Sequence, residues 1–443
     1  MIFEAGVLLE ELPGSQFAPL VSHITRDWRS IALATPRLWN KIFWDLGPTE
    51  LMGEDMDGDE NDKPLRVALL EKLKKATKKT AIFLLRSMSA PIDIYIRRFC
   101  DGELDHGGLE MAHMLELLHT HFHRCRHLSF HDGSPRAIEQ VIEQICCGLA
   151  PLISSIDLGI SHEYDDFALT RTILPCGAPH LKIAQLDWIE ISSIPYFLHA
   201  FQQLRSLRLI GIATAEDVHA SLASALFPMQ ALDHLELVSF HNWTPHLPAL
   251  AQPTIRFLRL HLLTPRSDDH AIQGFRAVSL TTLSIECAGY SGDLGFSTQG
   301  SPQVSFPSLQ HLILVNVKMQ HSKLGSVGRI FPHIERLTFQ GVNPCFEVGH
   351  VLTSMSARAI EENPDSTAEV SLLWPKLHTI AVSGPGLALT NPRLELDSQM
   401  SALQEAGVPI WRLMLPPNLV AHASGDMVAR MRKLVKVEEF SLD

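Results

Sequence analysis

Between Cys125 and Leu442 the chain repeats one spelling twelve times: an apolar residue, two others, an apolar residue, one other, an apolar residue. The register runs Cys125/Leu128/Phe130, Ile153/Ile156/Leu158, Leu181/Ala184/Leu186, Leu204/Leu207/Leu209, Leu232/Leu235/Leu237 and Ile255/Leu258/Leu260. It continues through Leu280/Leu283/Ile285, Leu309/Leu312/Leu314, Ile334/Leu337/Phe339, Leu377/Ile380/Val382, Ile410/Leu413/Leu415 and Val437/Phe440/Leu442. First positions are 28, 28, 23, 28, 23, 25, 29, 25, 43, 33 and 27 residues apart. Apart from the ninth and tenth intervals, this is close to the roughly 20 to 29 residues of a leucine-rich repeat. A short strand of this kind buries its apolar positions only between neighbouring units, because no unit closes a core alone. The pattern predicts an α/β fold, a leucine-rich-repeat-like solenoid or horseshoe, and a solenoid is a binding surface before it is a catalyst. A chance run of such strands in an ordinary α/β domain is the competing reading, and the near-regular spacing weighs against it.

The segments between the strands support the same reading. Ser134 is a helix N-cap, Pro135 takes the first helical position, and Ile138, Val141, Ile142 and Ile145 share one face. Thr214 to Leu226 repeats the design with Val218, Leu222, Ala225 and Leu226, and Pro228 stops it before Leu232. Many repeats of this class carry an asparagine three residues beyond the last leucine, where it satisfies the backbone of the turn. Here the position holds Ile189, Ile212, Phe240, Leu263, Val317 and Val342. The turns are therefore expected to be packed by side chains, with irregular curvature.

A chain of 443 residues exceeds one ordinary compact domain, but a solenoid grows by stacking. With 46% hydrophobic and 19% charged residues the bulk is folded. The net charge of -12 argues against a nucleic-acid surface. Only Lys72 to Lys79 is locally basic, and it reads as a solvated helix face. Seven cysteines, an odd number with no Cys-x-x-Cys pair, point to reduced thiols and an intracellular, cytoplasmic or nuclear location. No charged start followed by an apolar stretch and no run of 18 apolar residues occurs, so neither secretion nor a membrane partner is expected.

Sites of chemistry are sparse. His113, His119, His121, His123 and Cys125 are the best metal-like group, but on a helix side chains two apart diverge by about 200 degrees, and no second cluster completes a zinc site. Cys146-Cys147 on a helix reads as one buried and one half-exposed thiol. The acidic stretch Gly53 to Asp62 fails as a calcium loop: counting from Asp55, Glu60 stands where glycine is needed and Arg66 where the closing glutamate belongs. It reads as a solvated linker, and Val351 to Leu373 as an exposed insertion. No Gly-x-Ser-x-Gly elbow, phosphate loop or dinucleotide glycine run is present. No catalytic residue, metal or cofactor is assigned and the chain is expected not to be an enzyme; a hydrolase hidden in the α/β array is the alternative of another class.

The readable surface is the concave one, where Asp157, Gln185, Arg208, Glu236, Arg259, Ser284, Ile313 and Thr338 project between the buried residues of successive strands. Arg208, Glu236 and Arg259 would lie side by side, about 4.8 Å per step. They form either a charged cargo-recognition patch or a ladder of mutual salt links. Ile313, facing out, is a candidate contact.

Near the start, Leu20, Ile24, Trp28, Ile31 and Ala32 fall on one helical face, Thr35-Pro36 ends that helix, and Leu38-Trp39 packs back. The two tryptophans give this short unit its anchoring area. Val21, Trp28, Arg29, Ile31, Ala32, Thr35, Pro36, Leu38 and Trp39 closely resemble the second half of the F-box in fungal, mushroom-type F-box proteins. Leu85-Arg86-Ser87 followed by Ala90-Pro91-Ile92-Asp93-Ile94 is similar to the segment that leads into the first strand in that family. Family members open with leucine-proline-x-glutamate, whereas this chain opens Met1-Ile2-Phe3-Glu4, so a shortened first F-box helix is expected.

The resemblance implies a substrate-recognition subunit of a Skp-cullin-F-box ubiquitin ligase. Val21, Trp28, Ile31, Leu38 and Trp39 would build the module that docks on the Skp-type adaptor and through it the cullin, and the array would hold an unidentified target protein, with catalysis left to the partners. An interaction scaffold without ligase coupling is the alternative. The expected organisation is an F-box-like helical module at 1–46, an acidic linker at 47–64, a helix and strand cap at 65–124, and the array at 125–443 with an insertion at about 345–373.

Overall fold

The computed structural model describes residues 17–45, 63–98, 101–161, 172–211, 218–240, 250–251, 253–262, 275–287, 306–317, 327–328, 330–341, 374–383, 396–405, 410–422 and 425–440. The chain divides into two compact units, one made of Met1–Ala213 with Ser224–Leu232, the other of Thr214–Ala223 with Asp233–Asp443. The strands of the first are β1 (Lys41–Asp45), β2 (Ile92–Arg97), β3 (Cys125–Gly133), β4 (Ser155–Ile160), β5 (Ile183–Asp187) and β6 (Ser206–Ile210). Those of the second are β7 (His234–Phe240), β8 (Leu250–Ala251), β9 (Phe257–Leu262), β10 (Phe275–Arg276), β11 (Thr282–Cys287), β12 (His311–Val315), β13 (Arg336–Gln340), β14 (Thr379–Ser383), β15 (Arg412–Leu415) and β16 (Lys436–Glu439).

Within each unit the strands lie parallel and in chain order, except that β8 and β10 pair with each other apart from the rest. The repeat spelling is the register through the eleventh unit; in the twelfth, Val437, expected at the first position, pairs instead with the second-position Leu413, and Phe440 lies beyond the last strand. Ile42, Ile94, Leu128, Ile156, Ala184 and Leu207 are successive partners in the first unit. In the second, Leu235, Leu258, Leu283, Leu312, Leu337, Ile380, Leu413 and Val437 form the matching row. Every residue of the first row is buried, and so is every residue of the second up to Leu413. Parallel neighbours need a crossover, and helices supply several of them. This is a solenoid-like α/β arrangement.

The helix Pro135–Ile145 begins as its sequence dictates: the Ser134 hydroxyl accepts from the Ala137 amide at 3.1 Å, and Ile138, Val141, Ile142 and Ile145 are buried. Asp101–His121 is one helix that buries Met111, Met114, Leu115 and Leu118, spacings of one helical face. Lys63–Arg86 precedes it and packs beside it. The cation of Arg124 closes the C-terminal end of that helix. It donates to the Leu84 carbonyl at 3.0 Å, the Ser87 hydroxyl at 3.0 Å and the Ala90 carbonyl at 2.8 Å, where the helix leaves carbonyls unpaired and favours positive charge.

The array starts earlier than its sequence pattern suggests. β1 lies inside the span given to the helical module, and Trp39, Ile42 and Trp44 spell the same repeat as the units after Cys125. The turns are packed by side chains where they are described: Ile189 and Val317 are buried. Trp188, with φ of 56°, lies against Gly211, with φ of 66°. A Cβ on Gly211 would come within 2.5 Å of the indole. Ile212, Leu263 and Val342, most of the linker at 47–64 and the insertion from 345 to 373 lie outside the described residues.

Candidate functional site

The helices before β1 form the first candidate. One amphipathic helix from Leu20 to Ala32 was the expectation; instead two helices, Phe17–Ser22 and Arg26–Leu33, are separated at Thr25. Thr25 is extended and its hydroxyl accepts from the Trp28 amide at 3.2 Å, which caps a new helix instead of continuing the old one. The break turns the expected apolar stripe outward. Val21 and Ala32 are buried, but Leu20 is 63% exposed, Ile24 54%, Trp28 37% and Ile31 48%.

Leu38 and Trp39 do pack back. Pro36–Trp39 is a single tight turn, and both side chains are buried. The Trp39 indole donates to the Ala32 carbonyl at 2.8 Å, meets Phe83 edge-on at 5.1 Å, and carries the Arg86 guanidinium on its face at 4.3 Å. Of the five residues assigned to the adaptor module, then, Val21, Leu38 and Trp39 are buried, Trp39 against the helix Lys63–Arg86, while Trp28 and Ile31 are partly exposed.

The second candidate is the strand face alternating with the buried rows. In the first unit it carries Phe43, Tyr95, Ser129, Asp157, Gln185 and Arg208 as successive register partners. Phe43 and Tyr95 stack at 4.5 Å. Arg126 holds both oxygens of Asp93, at 3.0 and 2.6 Å, and His131 Nε2 lies 2.6 Å from Asp157. Gly159 makes room for that histidine, since a Cβ there would stand 2.8 Å from its Nδ1. Burial by itself would lower the His131 pKa, but the hydrogen bond and charge of Asp157, with Asp187 and Asp132 nearby, leave it raised. Asp187 is pushed up by burial.

In the second unit the corresponding row is Glu236, Arg259, Ser284, Ile313, Thr338, Ala381 and Met414. Arg259 sits between two carboxylates, 2.7 Å from Glu286 and 3.6 Å from Glu236, and His234 approaches Glu236 at 2.8 Å. These charges form a ladder of mutual links, the plainer of the two readings. Ile313, expected to face outward as a contact, is only 7% exposed. Its strand places His311 and Val315 on the same face, and His311 closes over the neighbouring Thr338 with a 2.7 Å hydrogen bond.

The pairings also bear on chemistry. His127 Nδ1 lies 2.6 Å from the Ser155 hydroxyl, the start of a nucleophile and base pair. No carboxylate orients the imidazole from its other nitrogen among the described residues, because Asp93 is held by Arg126 and Asp157 by His131. No group of three or more metal-ligating side chains is gathered among the described residues. Cys146 is buried, its thiol pushed up to about 12 by that burial, while Cys147 is exposed. No helix among the described residues is long and apolar enough to cross a membrane.

No family model matches the sequence and no curated protein matches it. Among solved structures, a Bacteroides fragilis protein aligns with 84% of this chain and 83% of its own length at 11% identity and a TM-score of 0.31, a likeness too loose to argue from.

Proposed function

We propose that this chain is the substrate receptor of a Skp-cullin-F-box ubiquitin ligase, with the N-terminal helices docking on the adaptor and the repeat array holding the target. The observation that carries this reading is the split behaviour of residues 17–39. Val21, Leu38 and Trp39 are buried, while Leu20, Ile24 and Ile31 are 48–63% exposed and Trp28 37%. Four large apolar side chains on so short a stretch are what a partner's apolar surface would cover. The motif shared with fungal F-box proteins names the partner class. Such a receptor needs no catalytic residue: by holding the target it raises the effective concentration of target lysines beside the ligase's ubiquitin carrier.

Affinity purification of the tagged full chain from a fungal lysate, with probes for the Skp-type adaptor and cullin, tests this reading. Recovery of both with the wild-type chain, and of neither with Trp28→Ala/Ile31→Ser, is the expected outcome. Absence of both from the wild-type eluate would reject ligase coupling and leave an interaction scaffold.

A further inference from the structure

A cleft of about 880 Å³ opens between the N-terminal helices and the helix Lys63–Arg86. Its walls carry Arg29, Lys75, Lys78, Lys79 and Arg86, and no carboxylate lines it among the described residues. Its apolar surface is supplied by Leu20, Leu33, Ile82 and Phe83. Arg29 and Leu33, four residues apart, share a helix face distinct from that of Trp28 and Ile31, so the cleft lies to the other side of that helix and shares only Leu20 with the exposed apolar group.

The charge is out of keeping with the molecule, which is -12 overall. Lys75, Lys78, Lys79 and Ile82 stand three or four apart on one helix, where like charges repel. Arg86 is spent on the Trp39 ring and Arg29 donates to the Ser22 carbonyl at 2.8 Å. Lys75 and Lys78 are exposed and have no anionic partner among the described residues. Read alone, the basic run is a solvated helix face; beside the N-terminal helices it becomes the wall of an amphipathic groove.

We infer that this cleft is a docking site for an acidic amphipathic segment of a partner protein, its carboxylates on the lysines and its apolar side chains on Leu33, Ile82 and Phe83. The occupant follows from complementarity of both kinds. A nucleic acid or inorganic polyanion would satisfy the cations and leave the apolar floor uncovered; an uncharged apolar segment would leave the lysines unpaired. This inference does not rest on the receptor reading, since the cleft can bind whether or not the adaptor does.

The test uses the full chain and a fluorescein-labelled helical peptide of about 16 residues, leucines spaced three and four apart and glutamates elsewhere. Controls are its glutamine analogue, a scrambled sequence of the same composition, and oligo-dT. The Leu/Glu peptide should bind and weaken with salt, and the glutamine and scrambled peptides should bind about tenfold more weakly or not at all. Lys75→Glu/Lys78→Glu, and the milder Lys75→Gln/Lys78→Gln, should each cut affinity about tenfold or more, Ile82→Ser should weaken it, and Lys72→Glu, outside the cleft, should leave it unchanged. Absence of binding by the Leu/Glu peptide, equal binding of oligo-dT or the scrambled peptide, or indifference to the paired lysine variants would overturn the inference.

Discussion

The helices before β1 and the strand face of the second unit handle the same problem in opposite ways. On the strand face, several groups that could seek a partner already have one: Arg259 lies between Glu236 and Glu286, Thr338 is held by His311, and Ile313 is covered. On the helices, Leu20, Ile24 and Ile31 stay 48–63% exposed although Val21, Leu38 and Trp39 beside them are buried. A charge-bearing strand is therefore weak evidence of a binding site, because neighbouring strands supply counter-charges. An apolar side chain left in water on a well-anchored helix is stronger evidence.

The sharpest way to break this contrast is to exchange the two tryptophans' roles by truncation. Trp39→Ala should cost about 3–5 kcal/mol, the range for deleting a large buried aromatic, and Trp28→Ala less than about 1 kcal/mol, both read from urea midpoints of the full chain. Equal losses would mean that Trp28 belongs to the interior. Next in size is Arg259→Met, which leaves Glu236 and Glu286 without their shared cation and should cost about 1–3 kcal/mol. Adding Glu286→Gln should return part of that loss. If Arg259→Met instead proves neutral and lowers capture of a bound protein, the row is a recognition patch after all.

A further pair of effects lies in pH dependence, and they have opposite signs. Burial, reinforced by Arg336, lowers His311 to about 4. The unfolded chain takes up that proton near pH 6.5, so His311 costs stability as pH falls from about 6.5 toward 4. His131 is raised, because Asp157 and its acidic neighbours outweigh burial. Its contribution is fully present below the unfolded value of about 6.5 and is lost as pH rises through the folded one. Urea midpoints across this range should lose acid sensitivity in His311→Asn and gain it in His131→Asn. Indistinguishable profiles for the two variants would contradict the assignment of their neighbours.

The apolar row shared by successive strands follows from a local spelling, so the register from Cys125 to Leu415 was legible in the sequence, as were the Ser134 cap and the division of Cys146-Cys147 into one buried and one more exposed thiol; the twelfth unit was not, because Val437 takes the place expected of Phe440. What was not legible depended on groups distant in the chain or on competition between local signals. Trp39, Ile42 and Trp44 spell a repeat, but the F-box-like motif claims Trp39, which hid β1. The apolar stripe from Leu20 to Ile31 has helical spacing, but the Thr25 hydroxyl captures the Trp28 amide and turns it outward. Ile313 alternates correctly for an outward residue between Ser284 and Thr338, yet all three are buried, which a single strand's spelling does not reveal. Arg124 gave no signal at all, since its partners Leu84, Ser87 and Ala90 lie 34 to 40 residues earlier.

The most direct test is a titration of purified Skp-type adaptor onto the purified full chain, wild type beside Trp28→Ala/Ile31→Ser, with thermal melts to verify folding. The account predicts saturable one-to-one binding to the wild type and a loss of about 100-fold or more in the folded variant. No binding to the wild type, or equal binding to both, would contradict it.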